Sequence, residues 1–426
     1  DIIIKSAIKS KKINSNKTAQ FSADFYSRGI FKVKDMPKKI LGQEVGDFDG
    51  NIDSTRSGII YQSETFSKIK FKKPDQLTEE IIASKIAGDD NGFSYNTALS
   101  TDYDFYENYV NFDINMISPI ADNAFNYYKY KLESTFFDDK QQLINKIKVI
   151  AKRDKEPVFE GYIYLVDDTW AIYAIELDIK GYRMQEPVLE TMKLTQNFSY
   201  NSNTKSWAKN IQTLDFKAGI FGITFNGKFT HVFSNYDFDV AIDKKTFKNE
   251  VVKFAENANK KDNEFWNQNR PVPLTDEELT NYVKKDSIQT LRKSQKYLDS
   301  TDVKGNKFKW YKVITGYNYR NSFKKYNFNY QGLLNLSSLN FNTVQGWNLD
   351  SGFSFSKRNE EKGKVTSISS KFNYGFADDR LRVTGSFYHK FNNINDAYIY
   401  INGGNTVSQF NASEPISDFS NTVSTL

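Results

Sequence analysis

Cysteine is absent from the 426 residues, and histidine occurs only twice, at His231 and His389. The first absence excludes disulfides, thiolate metal sites and cysteine nucleophiles outright. It also suits an oxidising compartment entered without a disulfide framework. The two histidines lie in alternating, strand-like contexts and are too few for a three-imidazole zinc site, so each reads as structural or surface. No run approaches 18 apolar residues, which excludes a membrane-spanning helix. A membrane β-barrel stays open, because its polar lumen keeps mean hydropathy low. No glycine-rich loop joins a strand to a helix around a phosphate, and no GxSxG elbow occurs. The sequence begins at Asp1 without an initiator methionine or signal peptide. It therefore reads as a mature or partial product, and the missing signal says nothing about export.

Charge adds a further exclusion. The formal +6 comes mostly from lysines spread along the chain, as on a solvated surface. A nucleic-acid groove needs a concentrated basic patch with interleaved stacking residues. Carboxylates crowd Gly42 to Asp53 (Glu44, Asp47, Asp49, Asp53), but they lack the spacing of a calcium loop and read as a solvated acidic turn. Asp167-Asp168 and Asp378-Asp379 are turn residues by position. The residues point to no catalytic constellation, no metal site and no cofactor.

Aromatic residues are plentiful: 15% of the chain, with 35 Phe and 26 Tyr. They organise the stretch from Phe341 to Ile401. Between Gly346 and Arg358, Trp347, Leu349, Phe353 and Phe355 share one parity, and Asn348, Asp350, Ser354 and Ser356 the other. From Arg380 to Phe391 the pattern returns, with Leu381, Val383, Phe387 and Phe391 set against Arg380, Arg382, Thr384, Ser386 and Lys390. Period-2 alternation marks strands with one apolar and one polar face. A soluble antiparallel sheet with one wet face gives the same alternation. Strands of about ten residues with a heavy aromatic load favour a tilted transmembrane β-strand. A tight turn at Ala377-Asp378-Asp379 and a longer charged loop at Asn359 to Gly363 fit the unequal connections of an outer-membrane barrel. The eight apolar residues named above are the candidate lipid-facing row.

The remaining chain reads as mainly β. Asp1 to Ser6 suggests a short strand, and Ala7 to Gln20 the end of a basic helix or a loop, with an abrupt change of composition between Ser6 and Ala7. Strands are expected at Phe25 to Val33, Ser57 to Phe71, Val158 to Val166, Ala171 to Leu177, Leu189 to Tyr200, Ser206 to Lys217 and Phe221 to Tyr236. Gly219, Gly222 and Gly227 are expected where the sheet bends or another backbone approaches. Thr78 to Ala87 fits helix or strand equally, and Ile117 to Tyr130 reads as a short helix. Helical spacing marks Thr246 to Asn259. Arg270 to Leu274 is a stiff connector. A capping box at Thr275 to Glu278 opens a helix through about Ser294, whose apolar members are Leu279, Tyr282, Val283, Ile288 and Leu291.

Several segments together resemble one family: Phe25 to Thr65 (FYSRGIFKVKDMPKKILGQEVGDFDGNIDSTRSGIIYQSET), NGFSYN, ISPIADNAFNYYKYKLE, RPVPLTDEEL, FNTVQGWNL and FADDRLRVTGSFYHKF. In that order they resemble the DUF5686 family of Bacteroidota outer-membrane proteins, from Phe21 to the end of the sequence. The resemblance implies an N-terminal carboxypeptidase-regulatory-like β-sandwich, non-catalytic and absent here, and a C-terminal outer-membrane barrel. The expected organisation is a linker remnant (residues 1–20), a periplasmic β-rich domain (21–242) built on a curved antiparallel sheet with a few helices, a helical linker block (243–305) and the first part of a barrel (306–426). Only four or five barrel strands are expected, too few to close a barrel, as in a truncated chain. The first half is similar, more loosely, to the curved sheets of lipoprotein carriers, through Phe159-x-Gly161-x-Ile163 leading to Trp170.

The expected function is that of a non-enzymatic outer-membrane protein. It would act in barrel assembly or surface-lipoprotein export, with partners among outer-membrane lipids and other outer-membrane proteins or lipoproteins, and without nucleic acid. The alternative is a TonB-dependent-like or passive transporter gated by its periplasmic domain.

Overall fold

The chain opens on a helix. In the computed structural model α1 (Ile2–Asn16) runs unbroken through the Ser6–Ala7 junction, where Asp1 to Ser6 suggested a strand. Its β-branched isoleucines favour a strand locally. Ile4, Ala7, Lys11 and Asn14 recur at three-to-four spacing, however, and all are buried, so burial of a helical stripe decides the outcome. The structure describes every residue except 41–42, 47–49, 90–91, 93, 95, 221, 248–250, 335–337, 409–416, 418–419 and 423–426. Two compact units divide the chain, Asp1–Ser287 and Ile288–Leu426.

The first unit carries an eleven-stranded sheet. Its strands begin with β1 (Gln20–Lys34), and a small ladder of β2 (Lys39–Ile40) with β3 (Gln43–Glu44) follows. Then come β4 (Gly58–Lys72), β5 (Gln76–Ile86) and a second small ladder of β6 (Tyr109–Phe112) with β7 (Ile114–Ile117). The long meander is β8 (Tyr128–Phe137), β9 (Leu143–Ala151), β10 (Glu160–Val166), β11 (Ile172–Lys180), β12 (Leu189–Asn201), β13 (Ser206–Ile220) and β14 (Ile223–Asp237). A last short strand, β15 (Val252–Phe254), completes it. Across the sheet the order is β15-β5-β4-β1-β14-β13-β12-β11-β10-β9-β8. Only β15, alongside β5, is parallel to its neighbour.

Alternation makes these strands, and one face makes the main core. Ile163, Leu165, Ile175, Leu177, Ile179 and Leu194 are fully buried beneath α1 and the segment from Phe105 to Ala124. Gly227 marks a close approach, since a β-carbon there would collide with the Phe216 ring. Gly222 turns the β13–β14 hairpin at φ +79°.

Among the described residues, two expected helices do not form. Ile117 to Tyr130 contains the end of β7, a short 3-10 turn at Ala124–Asn126 and the start of β8. Pro119 and the Asx-rich stretch after it interrupt any helix, while Tyr128, Tyr130 and Leu132 alternate with Lys129, Lys131 and Glu133 as a strand should. Within Thr246 to Asn259, β15 docks on the edge of β5, with Val252 opposite Glu79 and Phe254 opposite Ile81. Edge pairing wins there over helical spacing, and Val251 and Phe254 stay exposed. Thr78 to Ala87, ambiguous in sequence, falls almost wholly within β5.

After α2 (Asn263–Asn269) comes α3 (Asp276–Lys293), which opens on the expected capping box. The Thr275 amide donates to Glu278 Oε2 at 2.8 Å, and the Glu278 amide donates to Thr275 Oγ1 at 3.3 Å. Of the expected apolar members its buried face keeps Tyr282 and is otherwise polar. Glu278, Tyr282 and Lys285 are covered, and Leu279, Val283 and Leu291 are exposed.

The second unit holds α4 (Gln295–Gly305), α5 (Lys312–Thr315) and a seven-stranded antiparallel sheet. Its strands are β16 (Tyr317–Asn321), β17 (Tyr326–Tyr330), β18 (Leu339–Asn342), β19 (Gly346–Asn359), β20 (Lys364–Gly375), β21 (Arg380–Lys390) and β22 (Tyr398–Gly404). Seven strands exceed the four or five expected, because the short Tyr/Asn alternations at β16 and β17 also pair. Among the described residues the sheet is open, running from β16 to β22, and forms no closed barrel.

Candidate functional site: an apolar sheet face and an aromatic recess

In an antiparallel sheet, residues directly opposite one another share a face. Register therefore assembles the second unit's faces from the strand pattern. Leu349 pairs with Tyr374 and Tyr374 with Leu381; Phe372 pairs with Val383; Phe355 pairs with Ile368, Ile368 with Phe387 and Phe387 with Ile401. On the other side Phe328 meets Phe355, Tyr330 meets Phe353, and Phe341 meets Trp347. Trp347, Leu349, Phe353, Phe355, Leu381, Val383 and Phe387 thus lie on one face. Phe391 follows the end of β21, and its amide donates to the Ala397 carbonyl. Sequence reading missed Tyr326, Phe328, Tyr330, Ile368, Phe372 and Ile401 on the same face, although their period-2 alternation with Asn and Ser was visible.

The opposite face is polar. Asn327, Ser356 and Ser367 form one cross-strand row and Asn329, Ser354, Ser369 and Ser386 another, with Tyr388 and Tyr400 as aromatic members. Its groups satisfy one another: Ser369 and Ser386 hydroxyls meet at 2.6 Å, and Asn373 Nδ2 donates to Asp350 Oδ1 at 2.8 Å. Arg382 binds Asp378 beside them. Burial is inverted relative to a water-soluble sheet. Leu381 is 62% and Val383 41% exposed, whereas Arg382 between them is 7% exposed and Asn348 3%. A contiguous exposed apolar face of this kind marks a membrane or protein contact.

In the first unit, adjacent residues of β1 and β4 serve opposite faces of their sheet. Tyr26, Arg28, Gln62 and Glu64 point to one. There Glu64, wholly buried, accepts from Arg270 Nε at 2.6 Å, Arg270 Nη2 at 2.8 Å and the Tyr26 hydroxyl at 2.6 Å. Burial alone would raise the Glu64 carboxyl, but these charge-assisted bonds outweigh it and hold its pKa below the ordinary value. Arg28 donates to the Val272 and Pro273 carbonyls and lies 3.4 Å from Glu278. Gln62 Nε2 donates to the Glu278 carbonyl and Lys285 Nζ to that of Ile60. The connector Arg270 to Leu274 and the start of α3 are thereby clasped to the sheet by polar contacts. This explains the helix's polar buried face.

Ser27, Ser63 and Thr65 point the other way, into a buried polar row that crosses the sheet with His231, Gln212 and Gln196. Ser94 and the segment from Asn96 to Tyr106 are latched over that row. Gln212 Nε2 donates to the Thr101 carbonyl at 3.0 Å, Gln196 Nε2 to the Tyr103 carbonyl at 2.7 Å, and the Ala98 amide to Glu79 Oε2 at 2.7 Å. Among the described residues, Ser27 Oγ, Thr65 Oγ1 and Gln196 Oε1 are buried without a hydrogen-bond partner. His231 accepts its burial by staying neutral, with a pKa pushed down to about 3 by burial first and by Lys209 second.

Beside the latch lies a recess of about 100 Å³. Its walls are chiefly aromatic, including Phe21, Phe71, Phe198, Trp207, Phe233 and Tyr236. Lys209 and Asp102 also line it. Burial lowers the Lys209 pKa and raises that of Asp102, although the Asp102 side keeps access to solvent through the mouth. Sequence reading marked none of these residues as a site; those named come from β1, β4, β12, β13 and β14 and from the loop that carries Asp102.

The acidic turn spends its carboxylate locally. Asp53 accepts from the Thr55 amide and hydroxyl and from the Ser57 amide, which depress its pKa, the Thr55 hydroxyl bond most. Glu44 is exposed in β3, and Asp47 and Asp49 lie outside the described residues. His389 bonds Thr366 Oγ1 through Nδ1 at 2.9 Å. Among the described residues, no group of three or more His, Asp or Glu could hold a metal ion, and no helix is long and apolar enough to cross a membrane.

No curated protein matches the chain. Among solved structures, a DUF1329 family protein from Desulfovibrio piger is similar at TM-score 0.23 and 11% identity, covering 57% of this chain and 97% of its own. A LolA superfamily protein from Nitrosomonas europaea is similar at TM-score 0.21 and 10% identity, covering 58% and 96%. The MucA/MucB complex of Pseudomonas aeruginosa gives TM-score 0.17 at 7% identity over 93% of each chain. Scores so far below one half carry no argument about fold or function. Family models are more decisive: residues 3–236 match the family of unknown function DUF5686, and residues 311–426 match its C-terminal domain. The chain belongs to the DUF5686 family.

Proposed function

We propose that this chain is a non-enzymatic outer-membrane protein that serves barrel assembly or surface-lipoprotein export. In this reading the seven-stranded sheet is part of a transmembrane β-barrel, with its apolar face toward lipid and its Asn/Ser/Arg face toward a polar lumen. The first unit stands in the periplasm and holds the apolar part of a client in the recess beside the latched segment. The observation that carries the reading is the inverted burial of β19 to β21, where aromatic and aliphatic side chains are exposed and Asn348, Asp350 and Arg382 are buried. Water-soluble sheets cover their apolar face, whereas barrels in lipid present it outward on every strand.

Two observations support a binding rather than a catalytic role for the first unit. Its buried carboxylates are committed to structural partners, Glu64 to Arg270 and Tyr26, and Glu79 to Ser67 and the Ala98 amide. A group of its aromatic side chains, Phe21, Phe71, Trp207, Phe233 and Tyr236, lines an open recess outside the main core.

The test is a gentle detergent extraction of the tagged protein from outer membranes, with mass spectrometry of what accompanies it. Stoichiometric recovery of barrel-assembly components or a surface lipoprotein is the expected result. Recovery of the protein alone, with solute conductance in planar bilayers, would replace this reading with a transporter.

A further inference from the structure

The recess has a chemical asymmetry that an apolar guest alone leaves unused. Lys209 Nζ sits 5.1 Å from the Phe233 ring centroid and has one long protein hydrogen bond, 3.3 Å to Gln212 Oε1. Asp102, lining the same recess, accepts no hydrogen bond among the described residues and interacts with Lys209 only through its charge. The other charged residues of the mouth are already engaged. Lys73 bonds Ser15 and pairs with Asp104 at 3.3 Å, and Asp104 also accepts from the Tyr106 amide. A half-buried ammonium and an exposed carboxylate at the mouth therefore border the aromatic wall, each with donor or acceptor capacity that the described residues leave unused.

Three kinds of amphiphile would meet that pair differently. A fatty carboxylate satisfies Lys209 and confronts Asp102 with a like charge. An alkyl ammonium does the reverse. A secondary amide is neutral: its carbonyl accepts from Lys209, its N–H donates to Asp102, and its acyl chain runs along the aromatic wall. We propose that the recess binds an amide-linked acyl chain. This rests on the apolar-guest role proposed above and adds the head group. The enclosed space equals roughly three water molecules, enough for the amide and the first methylenes, while the rest of the chain leaves through the mouth. A client peptide adding as a strand fits less well. All the strands that line the recess except β5 lie inside the sheet, and β5 already carries β15 along Glu79–Ile81.

The test uses the full chain in lipid nanodiscs and isothermal titration calorimetry. Ligands are N-hexanoylglycinamide, N-hexanoylglucosamine, hexanoate, hexylamine, hexanol and the unacylated dipeptide glycyl-leucinamide. Both N-hexanoyl amides should bind at least about tenfold more tightly than hexanoate or hexylamine, as expected for two hydrogen bonds to charged partners. Preference between the two amides reports whether the acyl group arrives on a peptide or on a sugar. Asp102→Asn and Lys209→Met should each remove most of that tenfold advantage and leave hexanol binding unchanged. Asp102 holds no structural hydrogen bond, so Asp102→Asn keeps the test valid even where Lys209→Met disturbs folding. A 6-bromohexanoyl amide should quench Trp207 fluorescence, and Trp207→Phe should abolish that component. Equal binding of hexanol, hexanoate and the amides, unaffected by either substitution, would overturn the head-group inference and leave the apolar-guest role standing. Tighter binding of glycyl-leucinamide would overturn it in favour of a peptide. No binding by any ligand would overturn both.

Discussion

Arg270 grips Glu64 through two hydrogen bonds, 2.6 and 2.8 Å long, across 206 residues of sequence, on a carboxylate with no exposed side-chain surface. Removing one partner of such a pair strands the other charge out of water, at about 3–5 kcal/mol. Arg270→Met should lower the stability of the first unit by that order in urea unfolding followed through Trp266, which packs beside Tyr26 on the same face. Arg270→Met with Glu64→Gln should recover much of the loss, since a neutral glutamine leaves no buried charge. A single variant as stable as the parent would show that the clasp carries no load.

The buried histidine gives a pH dependence with a definite sign. His231 titrates near 3 when folded and near 6.5 when unfolded, so the unfolded chain binds the extra proton between those values. Stability is then full above pH 6.5 and falls as pH drops toward 3. At pH 5 the loss amounts to about 2 kcal/mol relative to pH 7. His231→Gln should flatten the stability profile between pH 7 and 5. Depressed carboxylates such as Glu64 lose their contribution only at lower pH, below their ordinary range. Identical pH profiles for parent and variant would contradict the burial of a neutral imidazole.

The latch over the polar row should open locally rather than with the whole unit. Gln212→Leu removes the donor to the Thr101 carbonyl and the acceptor for Gln196 Nε2. Leaving such groups unmet costs about 1–3 kcal/mol. Amide hydrogen exchange should accelerate across residues 98–106 while β10 and β11, deep in the core, keep their protection. Uniform acceleration would mean the segment is part of the core and not a latch.

On the second unit's sheet, charge should be tolerated by one face only. Val383→Arg places a guanidinium on the apolar face, at about 2–4 kcal/mol near the middle of a bilayer. Ser386→Arg, on the polar face of the same strand, should insert normally. Heat-resistant membrane extraction distinguishes them, and equal yields would argue against a lipid-facing row.

Much of the architecture was legible because alternation is a local signal. The patterns at Gly346 to Arg358 and Arg380 to Phe391 became β19 and β21, and the Thr275–Glu278 capping box opened α3 at the expected residue. The failures came where a distant partner decided the outcome. Val252–Phe254 is a strand because the edge of β5 is free to receive it, and Ile2–Ile4 are helical because a helical stripe is buried. Glu278 and Lys285 are buried while Leu279 and Val283 are exposed, because α3 lies on a polar sheet face. The recess was illegible for a related reason: Phe21, Trp207 and Phe233 converge only through the β1–β14–β13 pairing. Nor does spacing along the chain reveal that Asp102 and Lys209 would share one wall.

The lack of cysteine makes the central claim directly measurable. Single cysteines placed in turn at positions 380–390 and 347–356 can each carry a nitroxide spin label, with no background thiol to remove. In outer-membrane lipid, oxygen collision rates should peak at 381, 383 and 387 and at 347, 349, 353 and 355. A water-soluble nickel relaxant should peak at the intervening positions. Alternation in that phase would place the apolar face in lipid; uniform accessibility, or peaks in the opposite phase, would contradict it.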